Sequence, residues 1–305
     1  MPHAQLTSLH LARLGQVYTG PLLELGPNVA EVPDDVAGIV NEQLIDAGLF
    51  ESEGVLSAQA HTLLDPLFGY DDAFSAIILL HNQRQSFTFD LDGQWQEYMS
   101  ESLTTTPRVY VLVASHGRTV TTAVRAGDHV DITQVETSEP LVRIAAQELL
   151  RVGDPASEWS PADISALSFP ASLLDHAPAR APIPGSADKD AVADHKETAY
   201  RFSSALRRAG VPSRTIIAVE KFLAFDHLAA THISFIKGHQ RLISEGAATI
   251  DYFHDAGVSV GGLQLAGDGT KWRTLAPATQ AETVSVLTDL MRLPSSPMLA
   301  SLSGR

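Results

Sequence analysis

The sequence predicts an α+β fold, an antiparallel β-sheet from two quasi-symmetric halves, flanked by helices and a helical bundle. Three observations lead there. The stretch "RVYVLVASHGRTVTTAVRAGDHVDITQV" (108–135) is almost entirely strand, turn, strand, turn, strand. A helical pattern, "SEPLVRIAAQELLRV" (138–152), follows directly. The same order of strands and helix then returns in "ATIDYFHDAGVSVGGLQLAGDGTKWRTLAPATQAETVSVLTDLMRLP" (248–294).

Taken in order, "LTSLHLARLGQV" (6–17) places Leu6, Leu9, Leu14 and Val17 at spacings that suit a short helix or a strand entering a turn. "PDDVAGIVNEQLIDAGLF" (33–50) is a helix opened by acids and closed by glycine. "DAFSAIILLHNQ" (72–83) reads as a buried strand and "SFTFDLDG" (86–93) as a more alternating one. A polar loop, 94–107, carries Trp95, Tyr98 and Met99 into the central stretch.

Within that stretch Gly117 and Gly127 hold the hairpin positions, because tight turns demand positive φ. In the helix after it, Ser138 is the candidate N-cap and Leu141, Ile144, Ala145 and Leu149 form one apolar face. The Pro- and Ala-rich run "HAPARAPIPGSADKD" (176–190) is a surface loop. Two helices follow, 191–210 and 213–225, the second capped by Ser213 after Pro212. In the repeat, Gly257 matches Gly117 and Ala266-Gly267-Asp268 matches Ala126-Gly127-Asp128 without a gap. The expectation is a single domain, 1–305, of two pseudo-repeat halves, roughly 1–160 and 161–305.

Composition narrows the function classes. The 305 residues contain no cysteine, which removes disulfides, thiolate metal sites and cysteine nucleophiles. A net charge of -15 with no run of Lys and Arg disfavours nucleic acid and anionic membranes. The N-terminus has no basic segment followed by a long apolar run, and "AIILL" (76–80) is far too short to span a bilayer. The expectation is a soluble, cytoplasmic protein with no membrane insertion.

Candidate chemistry is thin. His227 and His232 flank "LAAT", a spacing that fits no zinc motif. "DLDG" (90–93) lacks the further ligands of a calcium loop, and the glycines of 256–269 lead into strands, not into a phosphate-binding helix. No serine sits in a nucleophile elbow. An enzyme would need a dispersed site built on histidines such as His227, His232 or His254; no catalytic residue, cofactor or metal is expected.

Three passages resemble the EspG family of type VII (ESX) secretion-associated chaperones. The first is "RVYVLVASHGRTVTTAVRAGDHVDITQVETSEPLVRIAAQELL", a valine-rich strand meeting an Arg-Gly type turn, then an acidic strand end and a helix. The second is "DPASEWSPADISALSFPASLLDHA", and the third "KWRTLAPATQAETVSVLTDLMRLP", a strand leading to a "PAT" helix start. The Pro/Ala-rich loop near 177–186 and the 12 histidines depart from the family pattern. The resemblance implies an EspG-like domain with no enzymatic activity and no cofactor. Such a chaperone binds PE–PPE heterodimers at the PPE helical tip, keeps them soluble and helps deliver them to a secretion machine.

On that reading the sheet is the gripping surface. Along 118–125, Val120, Thr122 and Val124 point one way and Thr119, Thr121, Ala123 and Arg125 the other. Thr121, Ala123 and Arg125 are the expected partner contacts on an open face, with Trp95 and Tyr98 as aromatic anchors beside them. Elemental analysis of the chain purified without an affinity tag should find no near-stoichiometric zinc or calcium; either metal would reveal ligation that these spacings do not show.

Overall fold

The computed structural model describes residues 2–18, 20, 22–26, 32–86, 107–135, 138–173, 203–204, 206–223, 226–238 and 242–297. In chain order the elements are β1 (His3–Thr7), α1 (Ser8–Val17), a 3-10 turn (Leu23–Leu25), α2 (Asp34–Asp46), β2 (Phe50–Ser52), β3 (Val55–Leu56), α3 (Ala58–Phe68), β4 (Asp72–Ser86), β5 (Arg108–His116), β6 (Thr119–Ala126), β7 (His129–Val135) and α4 (Leu141–Gly153). The second half supplies β8 (Leu167–Pro170), a 3-10 turn (Ala171–Leu173), α5 (Ser213–Leu223), β9 (Asp226–Lys237), β10 (Leu242–Ser244), β11 (Ala248–Phe253), β12 (Gly257–Leu265), β13 (Lys271–Pro277), α6 (Gln280–Arg292) and β14 (Ser295–Pro297).

Twelve strands form one sheet in the order β1-β7-β6-β5-β4-β9-β11-β12-β13-β8, with β10 and β14 attached beside β9. The order is nearly a palindrome. From its centre, β4-β5-β6-β7 runs outward one way and β9-β11-β12-β13 the other, each meander followed in the chain by a helix. The halves meet where β4 pairs antiparallel with β9, setting Phe74 opposite Phe235 and Ala76 opposite Ile233. The two phenyl rings sit 5.2 Å apart between centroids at 51°.

One face of the sheet is sealed by α4 and α6, which pack against each other over both halves. Ile144, Ala145 and Leu149 from α4 and Val286, Leu287 and Leu290 from α6 bury against Val111, Val113, Val120, Ile250 and Val260. At Gly262 a Cβ would fall 2.6 Å from Val286 Cγ1, so the glycine lets α6 settle onto β12. The opposite face of the first half is covered as well. There α1, α2 and α3 build a second core in which Leu11, Leu14, Leu44, Leu63, Leu64 and Leu67 pack on Leu112, Ala123 and Ile132. The corresponding face of the second half is covered at its outer strands by a third core, where Ile216 and Val219 of α5 meet Phe253, Leu275 and Phe169.

The helices start in two ways. Thr7, Ser57 and Thr279 accept from backbone N–H groups ahead of α1, α3 and α6. By contrast α2, α4 and α5 begin on the carbonyls of Pro33, Pro140 and Pro212, each of which accepts from the first helical turn. The expected caps at Ser138 and Ser213 are therefore replaced by the prolines beside them, whose fixed φ already suits a helix entry.

Several expectations change in detail. The segment 6–17 splits into the end of edge strand β1 and helix α1. The turn after β12 is a longer loop, 266–270, with positive φ at Gly269, whereas Gly127 and Asp128 suffice after β6. Gly257, aligned with Gly117, opens β12 after the turn; its φ is +90°, and a Cβ there would meet Ser160 O at 2.5 Å. The strand expected at 86–93 and the loop at 176–190 lie outside the described residues, apart from Ser86 at the end of β4. The largest addition is β9, a central strand that sequence reading left unassigned, which gives the second half four meander strands to match the first.

Phe74 is fully buried at the junction of the halves. Phe74→Ala should cost about 3–5 kcal/mol, read as a lowered denaturation midpoint by circular dichroism. A loss within about 0.5 kcal/mol, the range of exposed sites, would mean that the β4–β9 junction contributes little to stability.

Candidate partner-binding surface

The structure confirms the side-chain alternation of β6 and overturns the exposure drawn from it. Val120 and Val124 face α4 and α6, whereas Ala123 faces the other way. That second face is not open. Thr121 and Ala123 are each 0% exposed, because α3 lies across β5, β6 and β7 and the Leu23–Leu25 turn lies across β4, β5 and β6. A strand buried on both faces can carry threonine or alanine on its less apolar side, so alternation alone did not reveal the second cover.

Arg125, at the end of that row, is half-buried. Its Nη1 donates to Leu25 O at 3.0 Å and its Nε to Gly127 O at 3.1 Å. The guanidinium also stands 6.0 Å from the Tyr110 ring centroid. Gly26 presses on the same ring from above: with φ at +82°, a Cβ there would fall 2.3 Å from Tyr110 Cζ. Arg125 thus fastens the 3-10 turn to the sheet.

Trp95 and Tyr98 lie outside the described residues. Their segment, 87–106, joins β4 to β5. It leaves the sheet at Ser86, which pairs with Asp226 at the start of β9.

His232 lies apart from the other two candidate histidines. His227 pairs with Phe253, and His232 lies five residues further along β9, roughly 16 Å away at strand rise. His254 sits in the β11–β12 turn with its Nδ1 2.8 Å from Asp255 Oδ2. Among the described residues no group of three or more His, Asp or Glu side chains is placed to hold a metal ion.

Between the two helical covers runs a strip of sheet with a different character. Ile77 on β4 lies opposite His232 on β9, which lies opposite Thr249 on β11, which lies opposite Gly261 on β12. All four are half-buried, as is Ser234 on the same face of β9. Thr249 Oγ1 donates to Asp251 Oδ2 at 2.8 Å, and Asp251 is buried at 4% exposure. On one side of the strip stands α5, whose Ile217 is 57% exposed beside the buried Ile216. The accessible part of the sheet is therefore central, mixed polar and apolar, and walled by a helix.

These features define an α+β protein of duplicated architecture, its sheet sealed on one face and part-covered on the other. The chain belongs to the EspG family, whose sequence profile matches residues 21–289. The resemblance read from the sequence thus holds. No curated protein matches the sequence. Among solved structures, the chain is similar to the Mycobacterium tuberculosis type VII secretion system chaperone EspG5, determined in complex with the PE25–PPE41 dimer. The TM-score is 0.62 at 16% identity, covering 96% of this chain and 97% of that one.

The corrected β6 face makes a direct prediction. Ala123→Trp should prevent folding or lower stability by about 3 kcal/mol or more, since a large ring has no room in a filled core. Arg125→Glu should cost less, about 1–3 kcal/mol, because it removes the two carbonyl contacts. Thermal melts of both variants check this ranking, and a normal melt for Ala123→Trp would restore an open face.

Proposed function

We propose that this chain is a cytoplasmic chaperone of type VII secretion that binds a PE–PPE heterodimer, keeps it soluble and targets it to the secretion machinery. The observation that carries the reading is the end-to-end likeness, within a shared family, to a chaperone solved with such a dimer bound. Identity of 16% is too low to transfer individual contacts, so the surface has to come from this chain's own geometry.

That surface is the central strip with α5. The family resemblance implies that the PPE subunit presents the tip of a helical hairpin, and helix ends leave backbone groups open to hydrogen bonding. A strip with Ile77 and Ile217 for apolar contact and Ser234, His232 and Thr249 for hydrogen bonds suits it. Trp95 and Tyr98 remain part of the proposal as aromatic anchors on the connection between β4 and β5. Thr121 and Ala123 act on binding only indirectly, by holding the sheet, and Arg125 by fastening the turn at Leu25.

Coexpression with a PE–PPE pair encoded near the gene is the test. A stable ternary complex on size exclusion is expected. Ile217→Glu and Ser234→Arg should each weaken it about tenfold or more, roughly the effect of a central interface contact, while their melts stay near that of the parent chain. Hydrogen exchange over 94–107 should slow in the complex. Absence of a complex with several pairs would overturn the chaperone reading. A complex indifferent to both substitutions would leave that reading intact and move the surface elsewhere.

A further inference from the structure

Helix α2 carries a face that the fold does not use. Val40, Asn41 and Leu44 are its buried side, and the helix packs on α1 and β2. The other side is open. Ile39 is 56% exposed and Ile45 39%. Glu42 stands three residues from each of them and Gly38 one turn before Glu42, so the four share one face. Asp35 and Asp46, both exposed, extend it one turn before and two turns after Ile39.

Two features of this face have no reason within the fold. Gly38 is ordinary helix backbone in open space: a Cβ there would meet nothing within 4 Å. Neither its conformation nor a neighbour requires glycine, and alanine would hold the helix better. The acids are the second feature. Asp35 suits the first turn, where the helix dipole favours negative charge. Glu42 and Asp46 have no such support, and Asp46 ends the helix, where a cation is favoured and none stands. Among the described residues neither carboxylate forms an ion pair. Arg13 of α1 meets α2 on its buried side, where its Nε donates to Asn41 Oδ1 at 2.8 Å and its Nη1 to Gln16 Oε1 at 2.9 Å.

We propose that this face docks a basic amphipathic helix of a partner protein. Apolar residues of the partner cover Ile39 and Ile45, and its lysines or arginines pair with Asp35, Glu42 and Asp46. Gly38 lets its backbone approach, since the distance between packed helices is set by the side chains at the contact. Charge argues against the other occupants. A second copy sets the same carboxylates against these, and nucleic acid or an anionic bilayer brings phosphates. The α1 beneath α2 lies on β1 and β7, with β6 and β5 between β7 and the β4 of the central strip. A partner on α2 therefore leaves the strip free.

The probe is a synthetic helix with leucines on one face flanked by lysine and arginine, labelled with fluorescein. It is titrated with the full chain at physiological salt, where long-range attraction is screened. A helix of the same composition in scrambled order and one with glutamate at every basic position are the comparisons. Saturable binding of the ordered basic helix alone is expected. Gly38→Gln, which adds bulk without charge, and Ile39→Ser should each weaken it about tenfold. Gly38→Gln should melt no lower than the parent chain, because glutamine favours helix over glycine, so its lost binding is not unfolding. Asp35→Asn with Glu42→Gln should weaken the probe about fivefold. Glu158→Gln with Asp163→Asn, the same change of charge on exposed residues elsewhere, should leave it unchanged. The proposal is overturned by no saturable binding, by equal binding of the scrambled helix, or by binding indifferent to Gly38→Gln and Ile39→Ser. An equal loss on neutralising Glu158 and Asp163 also overturns it, since the probe would then be reading net charge alone.

Discussion

Everything in this fold hangs from one pairing, β4 against β9. Each half alone is a four-stranded meander with one long strand bare along its edge, and a bare edge invites pairing with another chain. Here the two edges satisfy each other. The register that joins them also sets Phe74, Ala76 and Ile78 on the same face as Ile233 and Phe235, so α4 and α6 find one continuous apolar floor. A one-residue slip would turn every one of these side chains to the other face. The pairing joins segments distant in sequence, so its closure carries a high entropic cost, and the two packed helices help to offset it.

On the sealed face the two halves follow the same plan, and on the other they differ. Both halves place a helix after the meander and press it onto the same side. What lies on the opposite side comes from segments outside the repeat: the first 70 residues cover β4 to β7, whereas among the described residues α5 meets the second half at Phe253, Leu275 and Phe169. A symmetric sheet with unequal covers leaves its accessible strip at the centre. The strip therefore results from unequal decoration, and no feature of the meanders themselves marks it.

This explains what was legible in the sequence. Elements whose apolar period is clean, α2, α4 and α6, could be read directly, because one face is core and the other is not, and the hairpins of 108–135 could be read from their glycine turns and dense strand formers. β9 could not. Its stretch "HLAATHISFIK" sets His232 and Ser234 on the strip and Ile233 and Phe235 in the core, with two alanines and a bulge opposite β4 diluting the alternation. The β6 face misled for the opposite reason: Thr121 and Ala123 look half-polar but lie under α3. Small residues there let a helix approach closely, and that use of alanine is indistinguishable in one sequence from a neutral surface. Of the expected contacts, Trp95 and Tyr98 lie outside the described residues.

The two halves of the non-sealed face differ in chemistry, and the difference says which was made to stay covered. Over β4 to β7 it carries Ala73, Leu112, Ala114, Ala123 and Ile132, all fully buried under leucines of α1 to α3. Over β9 and β11 the equivalent positions carry the half-buried His232, Ser234 and Thr249, with Asp251 and Ser259 buried beyond them. A surface covered once, on folding, gains from every apolar atom it buries. A surface that must remain soluble alone and still accept a partner needs polar groups that water can satisfy in one state and the partner in the other. The gradient across a single sheet, apolar under the N-terminal helices and polar beyond the central pair, follows that division. On the proposed function, the exchangeable contacts belong to the second half, although the order of elements makes the two halves look alike.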